Sequence, residues 1–166
     1  QVGSEISYNE IAQTVGSDSK TVEKYIDLLE KCYIVFRLGA FNRNLRTELK
    51  KSKKIYFYDN GIRNAVIQNF APLSMRNDVG ALWENFFISE RIKANEYEGR
   101  YAKSYFWRTT QQQEIDYIEE ADGQFTVFEM KWNPRKKTTP LPAVFLKTYP
   151  VAQEAVVTPD NYLEWL

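Results

Sequence analysis

The first 70 residues carry apolar positions at helical spacing, followed by two apolar runs of strand length. Ser7 is a typical helix N-cap with Glu10 three residues later, and Gly16 is a typical end for the short helix that begins there. The predicted elements are helices at 7–16 and 19–31, a strand at 35–41, a polar and basic loop at 42–54, and a strand at 54–59. This order predicts a winged helix-turn-helix over residues 1–70.

After a linker at 71–78, the pattern changes to that of a mixed sheet with flanking helices. A broad apolar stripe predicts a long helix that ends at Gly99. Asp122 and Gly123 form a dipeptide that is typical of a tight hairpin between two strands. The predicted elements are a helix at 79–99, strands at 100–108, 113–120 and 125–132, a helix at 141–150, and a strand at 155–159. We therefore predict an α+β chain whose second domain, 79–166, has the order α-β-β-β-α-β.

The charge balance limits how the chain can bind nucleic acid. Lys plus Arg and Asp plus Glu both number 22, so the formal net charge is zero and any DNA contact must come from a local patch. The outward residues of helix 19–31 also cancel in charge, so DNA reading and packing against another domain stay equally open for this helix. The basic loop and its flanks better suit phosphate contact. The predicted DNA-binding residues are Arg43, Arg46, Lys50, Lys51, Lys53 and Lys54.

Other residue counts narrow the compartment and the chemistry. The single cysteine, Cys32, cannot form an internal disulfide, which fits a reducing compartment and leads us to expect a cytoplasmic protein. No apolar run approaches the ~20 residues of a membrane helix. The chain lacks histidine, which excludes histidine-dependent catalysis and histidine metal sites. Because the chain does not begin with Met, we expect further sequence before Gln1.

Three carboxylates and one lysine are the strongest candidates for chemistry. Glu129 and Lys131 are two residues apart on a predicted strand, so they share one face. Asp116 and Glu129 each lie about six residues from the hairpin turn and can be neighbours across the strand pair. Glu84 lies in the first part of the predicted long helix. We expect these four side chains to converge.

Such a set suits metal-dependent hydrolysis of phosphodiesters. Carboxylates hold Mg²⁺ or Mn²⁺, and the metal polarises the phosphate and lowers the pKa of the attacking water. Lys131 would orient that water or neutralise charge on the phosphate. Glu114 shares a strand face with Asp116 and is interpreted as a flanking charge. In the alternative, Glu129 and Lys131 form an ion pair at a sheet edge, although their apolar neighbours indicate an inner strand, where unmatched charge is costly.

Four segments together resemble the C-terminal region of a family of prokaryotic AAA-type ATPases: KIYFYDNGIRNA, GALWENFFISE, YFWRTTQQQEIDYI and VFEMKW. That region is similar to a winged helix followed by a PD-(D/E)xK nuclease-like domain, and the resemblance covers nearly the whole chain. It implies that Glu84, Asp116 and Glu129 bind Mg or Mn and that Lys131 completes the catalytic set. Ile115 stands where the nuclease motif has its leading Pro. The resemblance also implies that ATP binds only to an ATPase domain preceding Gln1, which would be a partner within the same chain.

Two functions follow from these observations. In the first, the chain is the C-terminal part of an AAA-type ATPase that binds or processes DNA, with a Mg-dependent endo- or exonuclease site. In the alternative, it is a non-catalytic regulatory or protein-interaction module attached to the ATPase, with a degenerate nuclease fold. Zero net charge and the 15% share of aromatic residues favour the alternative, because such residues are typical of protein interfaces.

Overall fold

The computed structural model describes residues 3–43, 52–135 and 140–166. Three of the predicted DNA-binding residues, Arg46, Lys50 and Lys51, lie outside the described residues. Within the described ranges, five α-helices and six β-strands follow one another along the chain. They are α1 (Tyr8–Val15), α2 (Ser19–Lys31), β1 (Val35–Ala40), β2 (Lys53–Phe57), α3 (Asn60–Val66), α4 (Val79–Tyr97), β3 (Lys103–Arg108), β4 (Glu114–Ala121), β5 (Gln124–Met130), α5 (Ala143–Thr148) and β6 (Val151–Val157). Short 3₁₀ turns occur at Leu73–Met75 and Tyr162–Trp165.

The described strands form one mixed sheet in the order β2-β1-β3-β4-β5-β6. Strands β1 and β3 are parallel, as are β5 and β6, whereas β4 pairs antiparallel with both β3 and β5. The predicted hairpin is confirmed, since Ala121 lies opposite Gln124 and the two residues between them have positive φ, 52° at Asp122 and 77° at Gly123. These angles are those of the tight turn that the dipeptide favours. The predicted mixed α and β class is confirmed at this level.

The chain divides into two compact units, and each unit draws on two separate stretches of sequence. The first contains Gln1–Leu38 and Ser52–Ser89, and the second contains Gly39–Lys51 and Glu90–Leu166. Strand β1 and helix α4 therefore each contribute residues to both units. Within the described part of the chain, no helix combines the length and apolar character needed to cross a membrane.

In the first unit, local capping and a small apolar cluster stabilise the two N-terminal helices. The Ser7 side chain accepts a hydrogen bond from the backbone N–H of Glu10, as predicted, and Asp18 caps α2 in the same way. The buried cluster between the helices consists of Ala12, Val22 and Ile26, with Ile6, Tyr8, Ile11 and Ile55 against it.

A buried amide joins helix α4 to strand β2 in the same unit. Asn85 on α4 is fully buried, and its amide exchanges hydrogen bonds of 2.7 and 2.9 Å with the backbone N–H and C=O of Phe57 on β2.

In the second unit, one apolar core cluster lies between the sheet and helix α5. Aromatic rings dominate it, and Phe145 of α5 packs edge-on against Trp107 with ring centroids 5.2 Å apart. Pairs of this geometry add about 0.5–1.5 kcal/mol beyond the burial of area. The buried members of this cluster are Phe41, Trp107, Ile115, Ile118, Phe125, Val127, Leu141, Phe145 and Tyr149.

Candidate functional site

A pocket of about 440 Å³ in the second unit contains two of the three predicted metal ligands, Asp116 on β4 and Glu129 on β5. Carboxylate, amide and apolar side chains form its wall. The lining residues are Gln112, Gln113, Glu114, Asp116, Glu129, Pro140, Leu141 and Pro142. The sequence prediction that Asp116 and Glu129 are neighbours therefore agrees with a shared cavity.

A bulge in β4 determines how Asp116 is presented. On the β3 side, Tyr105 lies opposite Ile118 but Trp107 lies opposite Ile115, so β4 has one residue more than β3 between these pairs. Ile115 and Ile118 consequently belong to the same core cluster, although residues three apart in a regular strand lie on opposite faces. The extra residue falls at 116–117, and bulges of this kind change the direction of a side chain next to many active sites.

On the β5 side, Asp116 and Glu129 lie just past the end of the strand ladder. The last paired residues are Tyr117 and Phe128, and Asp116 and Glu129 adjoin them on the two strands. Glu129 is also paired with Val156 of β6, so β5 is an inner strand rather than an edge. The position is partly buried, which strengthens electrostatic interactions relative to bulk water.

Lys131 is held next to Glu129. Its Nζ atom lies 2.6 Å from Glu129 Oε1, and the two side chains are only 23% and 15% exposed. The backbone N–H of Lys131 donates to the carbonyl oxygen of Val157, which fixes the end of β5 against β6. The ion pair of the alternative interpretation is thus present, but on an inner strand and beside the pocket that Asp116 lines.

The donor set at the pocket fits a magnesium-like cation with one or two protein ligands. Within the described residues, no three His, Cys, Asp or Glu side chains are arranged to hold a metal together. Mg²⁺ commonly keeps several waters and binds one or two carboxylates, which Asp116 and Glu129 supply. Glu114 also lines the pocket, and Arg108 Nε lies 3.8 Å from its Oε2.

Glu84, the third predicted ligand, belongs to the first unit and is engaged there. Tyr56 Oη donates a 2.6 Å hydrogen bond to Glu84 Oε1, and Lys54 Nζ lies 3.8 Å from the same oxygen. Its convergence with Asp116 and Glu129 stays a prediction.

The described basic residues do not form a uniformly exposed patch. Lys54 is buried, with a side chain only 3% exposed, because β2 begins at Lys53 and its alternation directs Lys54 inward. This burial argues against the phosphate contact predicted for Lys54. Lys53 lies over the ring of Tyr8 at 5.8 Å, while Arg43 is half exposed and lies 2.8 Å from Glu120.

The stretch of chain that contains this site matches a known protein family. Residues 79–165, more than half of the chain, match the family described as Domain of unknown function (DUF4143). The chain belongs to the DUF4143 family. Residues 1–73 match a second family, described as Domain of unknown function (DUF8612). All four predicted catalytic positions, Glu84, Asp116, Glu129 and Lys131, fall within the DUF4143 match.

The relatives of the DUF4143 chain extend well beyond it. Proteins of Mycobacterium bovis and Mycobacterium tuberculosis, both described as uncharacterised, are each 29% identical over 124 residues. The aligned stretch is 74% of this chain but 27% of each relative, so the chain spans about a quarter of the length of these curated relatives. No solved structure matches the chain.

Within the DUF4143 region, sequence reasoning missed a buried polar network next to the bulge. Glu119 of β4 is 5% exposed and accepts two hydrogen bonds from Arg91 of α4, of 2.8 and 2.7 Å. Asn95 and Tyr117 donate to the same carboxylate at 2.7 and 3.0 Å. Burial, followed by the nearby Glu119 charge, raises the pKa of Tyr117 well above its usual value. The sequence signal that indicates this network is Glu119 itself, which directly follows apolar strand residues. A carboxylate buried at such a position needs a charged or hydrogen-bonding partner.

Proposed function

We propose that the chain is the C-terminal part of an AAA-type ATPase and that its DUF4143 region is a metal-dependent, nuclease-like domain acting on DNA. In this proposal, residues 1–70 form a winged helix and residues 79–166 form a PD-(D/E)xK-like domain. DUF4143 is commonly a C-terminal domain of AAA-type ATPases. The aligned stretch is only 27% of the curated relative, and the rest of that protein leaves room for an ATPase domain.

One observation carries the nuclease proposal: Asp116 and Glu129 line a single pocket, and Lys131 lies 2.6 Å from Glu129. A bound Mg²⁺ or Mn²⁺ would supply charge neutralisation and a water of lowered pKa. Asp116 and Glu129 would hold the cation. The Lys131 ammonium would orient the attacking water or neutralise charge growing on the phosphate.

The charges around the pocket favour a bound cation for this function. Glu114, Asp116 and Glu129 bring three carboxylates to the lining, while Lys131 lies 2.6 Å from Glu129 and Arg108 lies 3.8 Å from Glu114. Three negative charges thus face two positive ones before a phosphate enters. A phosphodiester carries negative charge, and like charges at short range in a partly buried site repel strongly. The proposed activity must therefore be lost entirely when divalent cations are removed.

The decisive experiment measures cleavage of linear and circular DNA in Mg²⁺, in Mn²⁺ and in EDTA. The wild type should cleave only with a divalent cation. Asp116→Asn and Lys131→Ala should each lower the rate by about 10²–10³-fold, the usual effect of removing one electrostatic contributor. Asp122→Asn is the matched control, because it removes a carboxylate from the same hairpin while keeping a residue that favours the turn. Equal rates in all variants, or cleavage that survives EDTA, would exclude this mechanism.

A second candidate function is favoured by the surface of the first unit. From the last residue of α3 onward, several large apolar side chains are exposed, among them Val66 (70%), Phe70 (71%) and Met75 (78%). Exposed apolar side chains that gather into a patch mark protein-interaction sites, and these lie within ten residues of one another along the chain. This observation supports the interaction module, which predicts no DNA cleavage by the wild type with any of the cations.

A further inference from the structure

The loop between β3 and β4 contains a glutamine in a conformation that favours glycine. Gln112 has φ of 63°, and its backbone N–H donates to the carbonyl oxygen of Thr109 at 3.0 Å. The N–H of Thr109 donates to the carbonyl oxygen of Gln113, also at 3.0 Å, and closes a three-residue hairpin loop. In such loops the third residue adopts the left-handed conformation, which residues other than Gly, Asn and Asp rarely adopt. Gln112 therefore occupies this position at a local energetic cost.

Gln112 is an exposed residue that lines the pocket, and its side chain is bonded to Arg108. The Arg108 guanidinium donates to Gln112 Oε1, and Gln112 lines the cavity together with Asp116 and Glu129. Because the amide oxygen already accepts from a charged donor, the group left to interact with a ligand is the Nε2 amide, which has two N–H donors. The neighbouring Gln111 is exposed and is not among the residues that line the pocket.

The chemistry of the pocket explains what a neutral donor is suited to bind. Lys131 already lies beside Glu129 and Arg108 beside Glu114, so a further lysine or arginine at this position would compete with a metal ion for the lining carboxylates. An amide adds a hydrogen bond to an anionic ligand without that competition. Residues that keep an unfavourable backbone conformation are concentrated at ligand-binding sites.

We propose that Gln112 is a substrate-binding residue whose Nε2 amide donates a hydrogen bond to a non-bridging phosphate oxygen of the DNA backbone. This inference rests on the proposed function, because it requires a cation at Asp116 and Glu129 to admit the phosphate. A contact of this type carries no sequence information, so it contributes equally to binding of all DNA sequences.

The test measures DNA affinity in Ca²⁺, with two short duplexes of unrelated sequence, alongside thermal stability. Gln112→Gly removes the amide and suits the left-handed backbone, so its melting temperature should equal or exceed that of the wild type. Its affinity for both duplexes should fall about tenfold, the usual effect of one hydrogen bond to a charged group. Gln112→Asn tolerates the backbone but shortens the side chain by one methylene, and should also bind more weakly. Gln111→Ala is the control and should bind like the wild type.

A second measurement separates failure of this inference from failure of the proposed function. Mn²⁺ binding to the wild type and to Asp116→Asn is compared by calorimetry, without DNA. Mn²⁺ binding that is absent, or unaffected by Asp116→Asn, overturns the proposed function and this inference with it. Mn²⁺ binding that depends on Asp116, combined with unchanged DNA affinity in Gln112→Gly, overturns only the role of Gln112. A loss of affinity for one duplex alone also overturns the phosphate contact.

Discussion

Replacing Glu119 by Gln should reveal how strongly the buried network stabilises the second unit. The Glu119 carboxylate accepts four hydrogen bonds: three reach Oε1, from Arg91 Nε, Asn95 and Tyr117, and one reaches Oε2, from Arg91 Nη2. A glutamine amide offers one acceptor oxygen and one NH₂ group. Whichever way it turns, the NH₂ group meets at least one donor, and the Arg91 charge loses its buried counterion.

The magnitude follows from the burial of both partners. The Arg91 and Glu119 side chains are 11% and 6% exposed. Removing one member of a buried pair typically costs about 3–5 kcal/mol, because the remaining charge is left without compensation. With an m-value of about 2 kcal/mol/M in urea, the unfolding midpoint should fall by roughly 2 M.

Equilibrium urea unfolding, followed by circular dichroism and tryptophan fluorescence, measures this change. Glu90→Gln is the matched control on α4, since Glu90 pairs with Lys93 and their side chains are 34% and 30% exposed. A partly exposed pair within one helix contributes about 0.3–0.5 kcal/mol. If Glu119→Gln shifted the midpoint no more than Glu90→Gln, Arg91 would be satisfied by other groups and the reasoning would be refuted.

Two further variants probe the first unit. Asp78→Asn should destabilise it by about 1 kcal/mol at neutral pH, because the Arg76 guanidinium, followed by Arg63, holds the pKa of Asp78 below its usual value. This contribution is complete above the ordinary aspartate pKa of about 3.9 and is lost as pH falls through the lowered value, so urea midpoints of variant and wild type should converge only in strong acid. Asn85→Ala should lower stability by about 2–4 kcal/mol in thermal unfolding, because it leaves the backbone N–H and C=O of Phe57 without their partner. A loss below about 1 kcal/mol would show that water replaces the amide.

Features set by local chemistry could be predicted from the sequence. The cap at Ser7, the turn at Asp122 and the long helix, which ends at Tyr97, each depend on residues within a few positions of one another. The nearness of Asp116 and Glu129 followed from counting outward from that turn. Their shared pocket agrees with this inference.

Features set by distant partners could not be predicted in the same way. Strand β6 begins at Val151 rather than 155, because residues 152–154 are exposed and carry no apolar signal, while β5 supplies their backbone pairing. The bulge at Asp116 appears only in the register with β3. The sequence predicts Lys54 at the end of a charged loop, whereas the structure places it on a strand beside Glu84, a partner 30 residues away.

The path of α4 has a consequence for any attempt to study the domains apart. Residues 79–89 lie within the DUF4143 match but fold with the first unit, where the side chain of Asn85 is hydrogen-bonded to the backbone of Phe57. A fragment ending before residue 79 would lose the first half of α4. The backbone N–H and C=O of Phe57 would then lose their hydrogen bonds to Asn85. A fragment starting at residue 79 would lack Gly39 and Ala40, the β1 residues that pair with β3. The boundary between the two families is therefore a poor place to cut, and a protease nick between residues 71 and 78 should leave the two pieces associated.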